Sequence, residues 1–179
     1  MTALVRDMSR LNISHPHLRV VQGNAPDREA VLYAIAGDDA VVSCLGAKQG
    51  GRPSAVLTEM ARNLIAGMNQ HSVRRMLYMA SAGIYGELSG IGGRLTMVLL
   101  RNVFLDHRRV AGVLAESGLG WTVARPLRLE NASLTGRYRI ALEGIPHGGR
   151  KISRADVAHF LLEALGETDY VKKSVALAY

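Results

Sequence analysis

The chain has 179 residues, 48% of them hydrophobic and 21% charged, which is ordinary globular usage and fits one domain over 1–179. No stretch reaches the roughly 18 apolar residues of a membrane span, no signal-peptide core opens the chain, and the lone Cys44 excludes an internal disulfide, so a cytoplasmic protein with no membrane partner is expected. The net charge is +7, yet only Lys48, Lys151, Lys172 and Lys173 of the 22 basic residues are lysines, and the arginines fall singly or in pairs without interleaved aromatics, a distribution that argues against nucleic acid and for a small anionic ligand.

In chain order, the first element is a strand over 2–6, followed at once by Arg6, Asp7 and Arg10. A second strand is expected at 18–22, then a turn at Gly23-Asn24-Ala25-Pro26 and a helix from Pro26 to Ile35 with Asp27 and Glu29 at its positive end. The run Ala40 to Leu45 reads as a strand covered on both faces, which places Cys44 as a buried, inert thiol. Residues 54–70 carry Leu57, Met60, Ala61, Leu64, Ile65 and Met68 at a 3.6 period and predict a helix with one buried stripe. A strand follows at 75–79, one long helical stretch at 95–116 closed by Gly118, and a strand at 121–124. The last helix opens on Ser153-Arg154-Ala155-Asp156, a capping-box-like start, and ends at Gly166. Extended runs at 138–142 and 174–178 are expected to pair at the far edge of the sheet. Strands alternating with helices predict an α/β fold, a Rossmann-like doubly wound and mostly parallel sheet.

In such a sheet, ligands sit beyond the carboxyl ends of the strands. The residues there are Arg6 and Arg10; Gly23 and Asn24; Gly46 and Lys48; Ser81, Ala82 and Gly83; Arg125 and Pro126. An acid after the earliest strand would suit the free ribose hydroxyl of NAD, whereas arginines suit the 2′-phosphate of NADP. Ser81 at its strand exit can hydrogen-bond a carbonyl or a nicotinamide amide. Tyr85 can donate a proton or stack; a tyrosine acting as acid or base near neutral pH needs a cation beside it, and the position four residues on is Ser89. His107 reads either as a surface residue of its helix or as a catalytic group. His15 and His17 have no carboxylate or thiol company, and no zinc spacing, Walker motif or nucleophile elbow occurs, so no metal is expected.

The stretches TALVRDMSRL, RVVQGN, DAVVSCLGAK, EMARNLIAGMNQHSVRRMLYMASAGIYGE, VLAESGLGWTVARP, LTGRYRI and ISRADVAHFLLEAL resemble, in that order, the NAD(P)H-binding atypical short-chain dehydrogenase/reductases, in particular the NmrA-like proteins and the branch containing biliverdin IX-beta reductase, or flavin reductase. The resemblance implies NADPH as cofactor, with Arg6 and Arg10 on the 2′-phosphate, Gly23, Asn24 and Ala25 bordering the adenine, and Leu45, Gly46 and Lys48 along the ribose and pyrophosphate. It places Ser81 beside the nicotinamide and Pro126 in the motif after a later strand, and it sets His107 near a histidine of the flavin-reducing members, whose second histidine is Leu127 here. Asn24 stands where an aspartate is usual. The members of the branch begin with a further strand, a glycine-rich turn and a helix, which the resemblance does not match within 1–179. It therefore predicts a gap between the strand at 2–6 and the strand at 40–45, closed by residues before Met1, by shifted strands or by a second copy in a homo-oligomer.

Three readings of function follow. One is an NADPH-dependent reductase that passes hydride to a small planar acceptor, a flavin or a quinone. Another is a non-catalytic NADP-sensing regulator of the NmrA type, and the third is a remnant that binds no cofactor.

Overall fold

The computed structural model describes residues 1–46 and 54–179. β1 (Thr2–Val5) pairs in parallel with β2 (Arg19–Gln22), the two forming a ribbon of their own. α1 (Arg28–Ile35) follows, with the Asp27 carboxylate accepting the amide hydrogens of Glu29 and Ala30; the helix thus starts after Pro26, because Asp27 is its cap. β3 (Ala40–Ser43), α2 (Val56–Gln70) and β4 (Arg75–Met79) continue the alternation. The expected single helix at 95–116 is two, α3 (Gly90–Leu99) and α4 (Arg101–Glu116), broken at Leu100. β5 (Gly120–Pro126), the short β6 (Arg128–Glu130), β7 (Arg139–Ala141) and β8 (Lys151–Ser153) lead to α5 (Arg154–Gly166) and β9 (Lys173–Ala178).

The main sheet has the order β3-β4-β5-β9-β7, parallel except for β7, which runs antiparallel to β9 as the pairing of 138–142 with 174–178 anticipated. β6 and β8 form a second parallel ribbon that the sequence reading did not foresee. Helices cover both faces, as a doubly wound sheet requires. On one face, Met60, Leu64 and Met68 of α2 and Phe104, Val110 and Leu114 of α4 pack on Met76, Tyr78 and Val123. On the other, Val157, Phe160 and Leu161 of α5 pack on Leu77, Ala124 and Val175. Tyr78 and Leu77 are both buried but on opposite faces, as the two-residue period of a strand requires.

Among the described residues β1 does not pair with β3. The β1–β2 ribbon is attached through α1: a Cβ on Gly23 would lie 2.9 Å from both the Ala30 Cβ and the Leu4 Cδ1, so only glycine lets the helix approach the ribbon this closely. Leu4 in turn packs against the main core, and the Thr2 hydroxyl donates to Asp38 at 3.3 Å just before β3. Val42 of β3 is exposed. Cys44 is exposed as well, contrary to the buried thiol expected, because β3 ends at Ser43 and the chain leaves the sheet there. No helix among the described residues is long and apolar enough to cross a membrane.

Candidate functional site

At the exit of β1 the chain makes a short 3-10 turn, Met8–Arg10, capped by Asp7, whose carboxylate accepts the Ser9 amide at 3.0 Å and the Ser9 hydroxyl at 2.6 Å. These hydrogen bonds, with Arg10 nearby, hold the Asp7 carboxyl below its ordinary range. Arg10 stands 3.8 Å from Asp7 and remains mostly exposed. Val5, Arg6, Asp7, Arg10 and Leu11 line a shallow depression of about 460 Å³. The two arginines singled out from the sequence therefore share one open site.

The exit of β2 lies next to it, since the Gly23 amide donates to the Val5 carbonyl at 2.9 Å. Asn24 is exposed, while Ala25 is buried and its carbonyl accepts from the Asn63 amide at 3.1 Å. At the exit of β3, Leu45 is half-buried against the core and Gly46 is exposed, with no neighbour among the described residues within 4 Å of where a Cβ would stand. Lys48 lies outside the described residues.

The segment after β4 is strapped beside β5: the Ala80 amide donates to the Ala124 carbonyl at 2.8 Å and the Ala82 amide to the carbonyl of the buried Pro126 at 2.9 Å. Gly83 (φ +104°) turns the chain here, in a conformation and against the Phe104 ring, 2.9 Å from a hypothetical Cβ, that no other residue tolerates. Ser81 sits half-buried between them, its hydroxyl donating to the Ala82 carbonyl at 3.1 Å.

Tyr85 and His107 are both engaged by neighbours that the sequence reading did not assign. The Tyr85 ring lies 5.1 Å from the guanidinium of Arg125, and its hydroxyl donates to the Ser174 hydroxyl at 3.4 Å. Arg125 is 1% exposed; it pairs with Glu87, which also accepts the Tyr85 amide at 2.8 Å, and it donates to the Ser174 hydroxyl at 3.0 Å and the Gly144 carbonyl at 3.2 Å. An arginine inside the otherwise mostly apolar strand β5 (Gly120–Pro126) is the signal that could have revealed this cluster, because a buried guanidinium calls for a carboxylate partner.

His107, read as a surface residue or a catalyst, is neither on the surface nor free. It is 8% exposed, and its Nδ1 stands 2.7 Å from the Tyr78 hydroxyl. Burial lowers its pKa to about 4 against a smaller opposing pull from Asp106, so the ring is neutral near pH 7. Burial together with the Asp106 charge raises the Tyr78 pKa, so Tyr78 is the donor in this bond. Asp106 is fully buried and reaches across to α2, accepting the Leu57 amide at 3.2 Å and the Thr58 hydroxyl at 2.8 Å. No hydrogen bond joins Ser81, Tyr85 and His107 to one another among the described residues.

Tested for NADP, the described residues fit the adenosine end, with an open, arginine-lined depression whose only carboxylate is engaged by Ser9. The N-termini of α1 and α2 do not offer a place for the pyrophosphate, because the carboxylates of Asp27 and Asp106 already occupy them.

The comparisons agree with this fold. A short-chain dehydrogenase/reductase from Veillonella parvula, solved in complex with NADP, superposes with a TM-score of 0.81 at 23% identity, covering 99% of this chain and 82% of that one. An anaerobillin reductase, ChuY, from Escherichia coli O157:H7 superposes with a TM-score of 0.81 at 21% identity over 99% of this chain and 83% of its own. The oxidoreductase ylbE from Lactococcus lactis gives 0.80 at 16% identity over 99% and 78%. A family model described as NAD(P)H-binding matches residues 1–168, and with that the chain belongs to the NAD(P)H-binding family.

Proposed function

We propose that the chain is an NADPH-dependent reductase of a small planar acceptor, of the flavin or quinone type, from the NmrA-like and flavin-reductase side of its family. The observation that carries this reading is the depression after β1, where Arg6 and Arg10 stand exposed while Asp7, the acid that would suit a free ribose hydroxyl, is turned onto Ser9. Bound NADPH supplies the hydride. The chain's own part is positioning: Arg6 and Arg10 hold the 2′-phosphate, Gly23 and Asn24 border the adenine, Leu45 and Gly46 follow the ribose, and Ser81 with Pro126 shapes the nicotinamide end. The NADP complex of the similar Veillonella protein and the reductase name of ChuY support the same direction. A second reading, an NADP sensor without turnover, is favoured by one observation: the polar groups of Ser81, Tyr85 and His107 are each hydrogen-bonded into the fold.

Calorimetric titration with NADPH and NADH, followed by an NADPH-oxidation assay with FMN and a benzoquinone, tests both. The expected result is NADPH tighter than NADH, with Arg6→Ala plus Arg10→Ala removing the preference by on the order of tenfold or more. Binding without acceptor-dependent oxidation leaves the sensor, and no NADPH binding removes both readings.

A further inference from the structure

α3 has no buried residue although it is rich in aliphatic side chains. Ile91 is 90% exposed, Leu95 58%, Val98 73% and Leu99 69%. Ile91, Leu95 and Val98 follow the i, i+4, i+7 spacing of one helical face, and Leu99 stands beside Leu95 one turn on. Scattered exposed aliphatics are unremarkable, whereas a continuous stripe marks a contact surface. Arg94, Arg101 and Arg108 recur every seven residues along the same α3–α4 segment, and all three are exposed. Between Ser89 and Ala115 the only acid is Asp106, which is fully buried, so the charge presented there is positive up to the exposed Glu116 that ends α4.

We infer that α3 is an interfacial helix with which the protein adsorbs to an anionic phospholipid surface. Its aliphatic stripe enters the headgroup–acyl boundary while the arginines extend their charged ends to the lipid phosphates. A second copy would bring two rows of arginine together on a chain whose net charge is already +7. The stripe is a convex single helix rather than a groove, which suits a deformable flat surface better than a shaped protein partner. Peripheral adsorption needs no spanning segment; it departs from the expectation of no membrane partner, which rested on the lack of such a segment, and it is independent of the reductase reading.

The test is flotation of the full chain with vesicles of phosphatidylcholine alone and with phosphatidylserine added, at low and high salt. Binding is expected only with phosphatidylserine and is weakened by salt. Leu95→Asp with Val98→Asp, both at exposed positions, is expected to abolish flotation with an unchanged circular dichroism spectrum and melting midpoint. Arg94→Gln, Arg101→Gln and Arg108→Gln together are expected to weaken partitioning by on the order of 100-fold. Failure of the wild-type chain to float, or flotation unaffected by the two aspartates, overturns the inference. A wild-type dimer that the aspartates dissociate would assign the stripe to a second copy. Binding of poly-glutamate that the aspartates abolish, with vesicles ignored, would assign it to an acidic protein; either outcome also overturns it.

Discussion

Replacing Asp156 with alanine should be strongly destabilising. Its carboxylate is fully buried and accepts five hydrogen bonds: from the Thr135 amide (3.0 Å), the Gly136 amide (2.8 Å), the Thr135 hydroxyl (2.9 Å), the Ser153 hydroxyl (3.0 Å) and the Tyr179 hydroxyl (2.6 Å). One side chain thus joins the start of α5, the 135–136 turn and the last residue. The hydroxyls can rotate to other partners, and the Thr135 and Gly136 amides lie near enough to solvent to recover some hydration. The expected loss for alanine is therefore about 3 kcal/mol, the low end for breaking a buried charged network, or roughly 6–12 °C in melting midpoint at this chain length. Asp156→Asn keeps one oxygen for the two amides and turns its NH₂ to hydroxyls that can accept, so it should cost about 1 kcal/mol.

Urea unfolding with an unchanged m value reads both changes. Burial pushes the Asp156 pKa up, but the hydrogen bonds from Tyr179, Gly136 and Thr135 outweigh it and hold the group well below the ordinary carboxylate range. A depressed native pKa means that this stabilisation is complete above the unfolded pKa of about 3.9 and is lost as pH falls through the lower native value. The wild-type chain should accordingly lose stability in acid more steeply than the asparagine variant. An alanine variant within about 0.5 kcal/mol of wild type, the scatter of ordinary surface substitutions, would refute the reasoning.

Gly23→Ala places a methyl 2.9 Å from the Ala30 Cβ, which cannot yield without moving α1, and from the Leu4 Cδ1, which can; a loss of about 1–3 kcal/mol in urea unfolding is expected, as for other overpacked contacts. His107 has a native pKa of about 4, below its unfolded value near 6.5, so stability should fall as pH drops between these values, where the unfolded chain binds the extra proton. His107→Gln should flatten that part of the stability profile, and an unchanged slope would count against a buried neutral ring.

The strands were legible in the sequence because those covered on both faces are continuous apolar runs, as Arg75–Met79 and Gly120–Pro126 show. The break at Leu100 was not, since the aliphatic residues continue through it and no proline marks it. β6 and β8 were missed because three-residue strands in polar segments carry too little periodicity to see. Cys44 was misjudged by extending an apolar run one residue past the end of its strand. Arg6 and Arg10 could be read as neighbours because they are close in sequence. The partners of His107 and Arg125 could not, because Tyr78 and Glu87 lie 29 and 38 residues away and only the tertiary fold selects them.

The capture of the α2 N-terminus by Asp106 also bears on the order in which the molecule assembles. At the first turn of α2 the Ser54 hydroxyl accepts the Val56 amide at 3.1 Å, but the next amide, that of Leu57, is taken by a carboxylate 49 residues downstream. An isolated α2 would fray at this end. Its Leu57 amide hydrogen gains protection from exchange only when α4 docks, so the two helices should become slow-exchanging together, and Asp106→Ala should uncouple them first at the Leu57 amide.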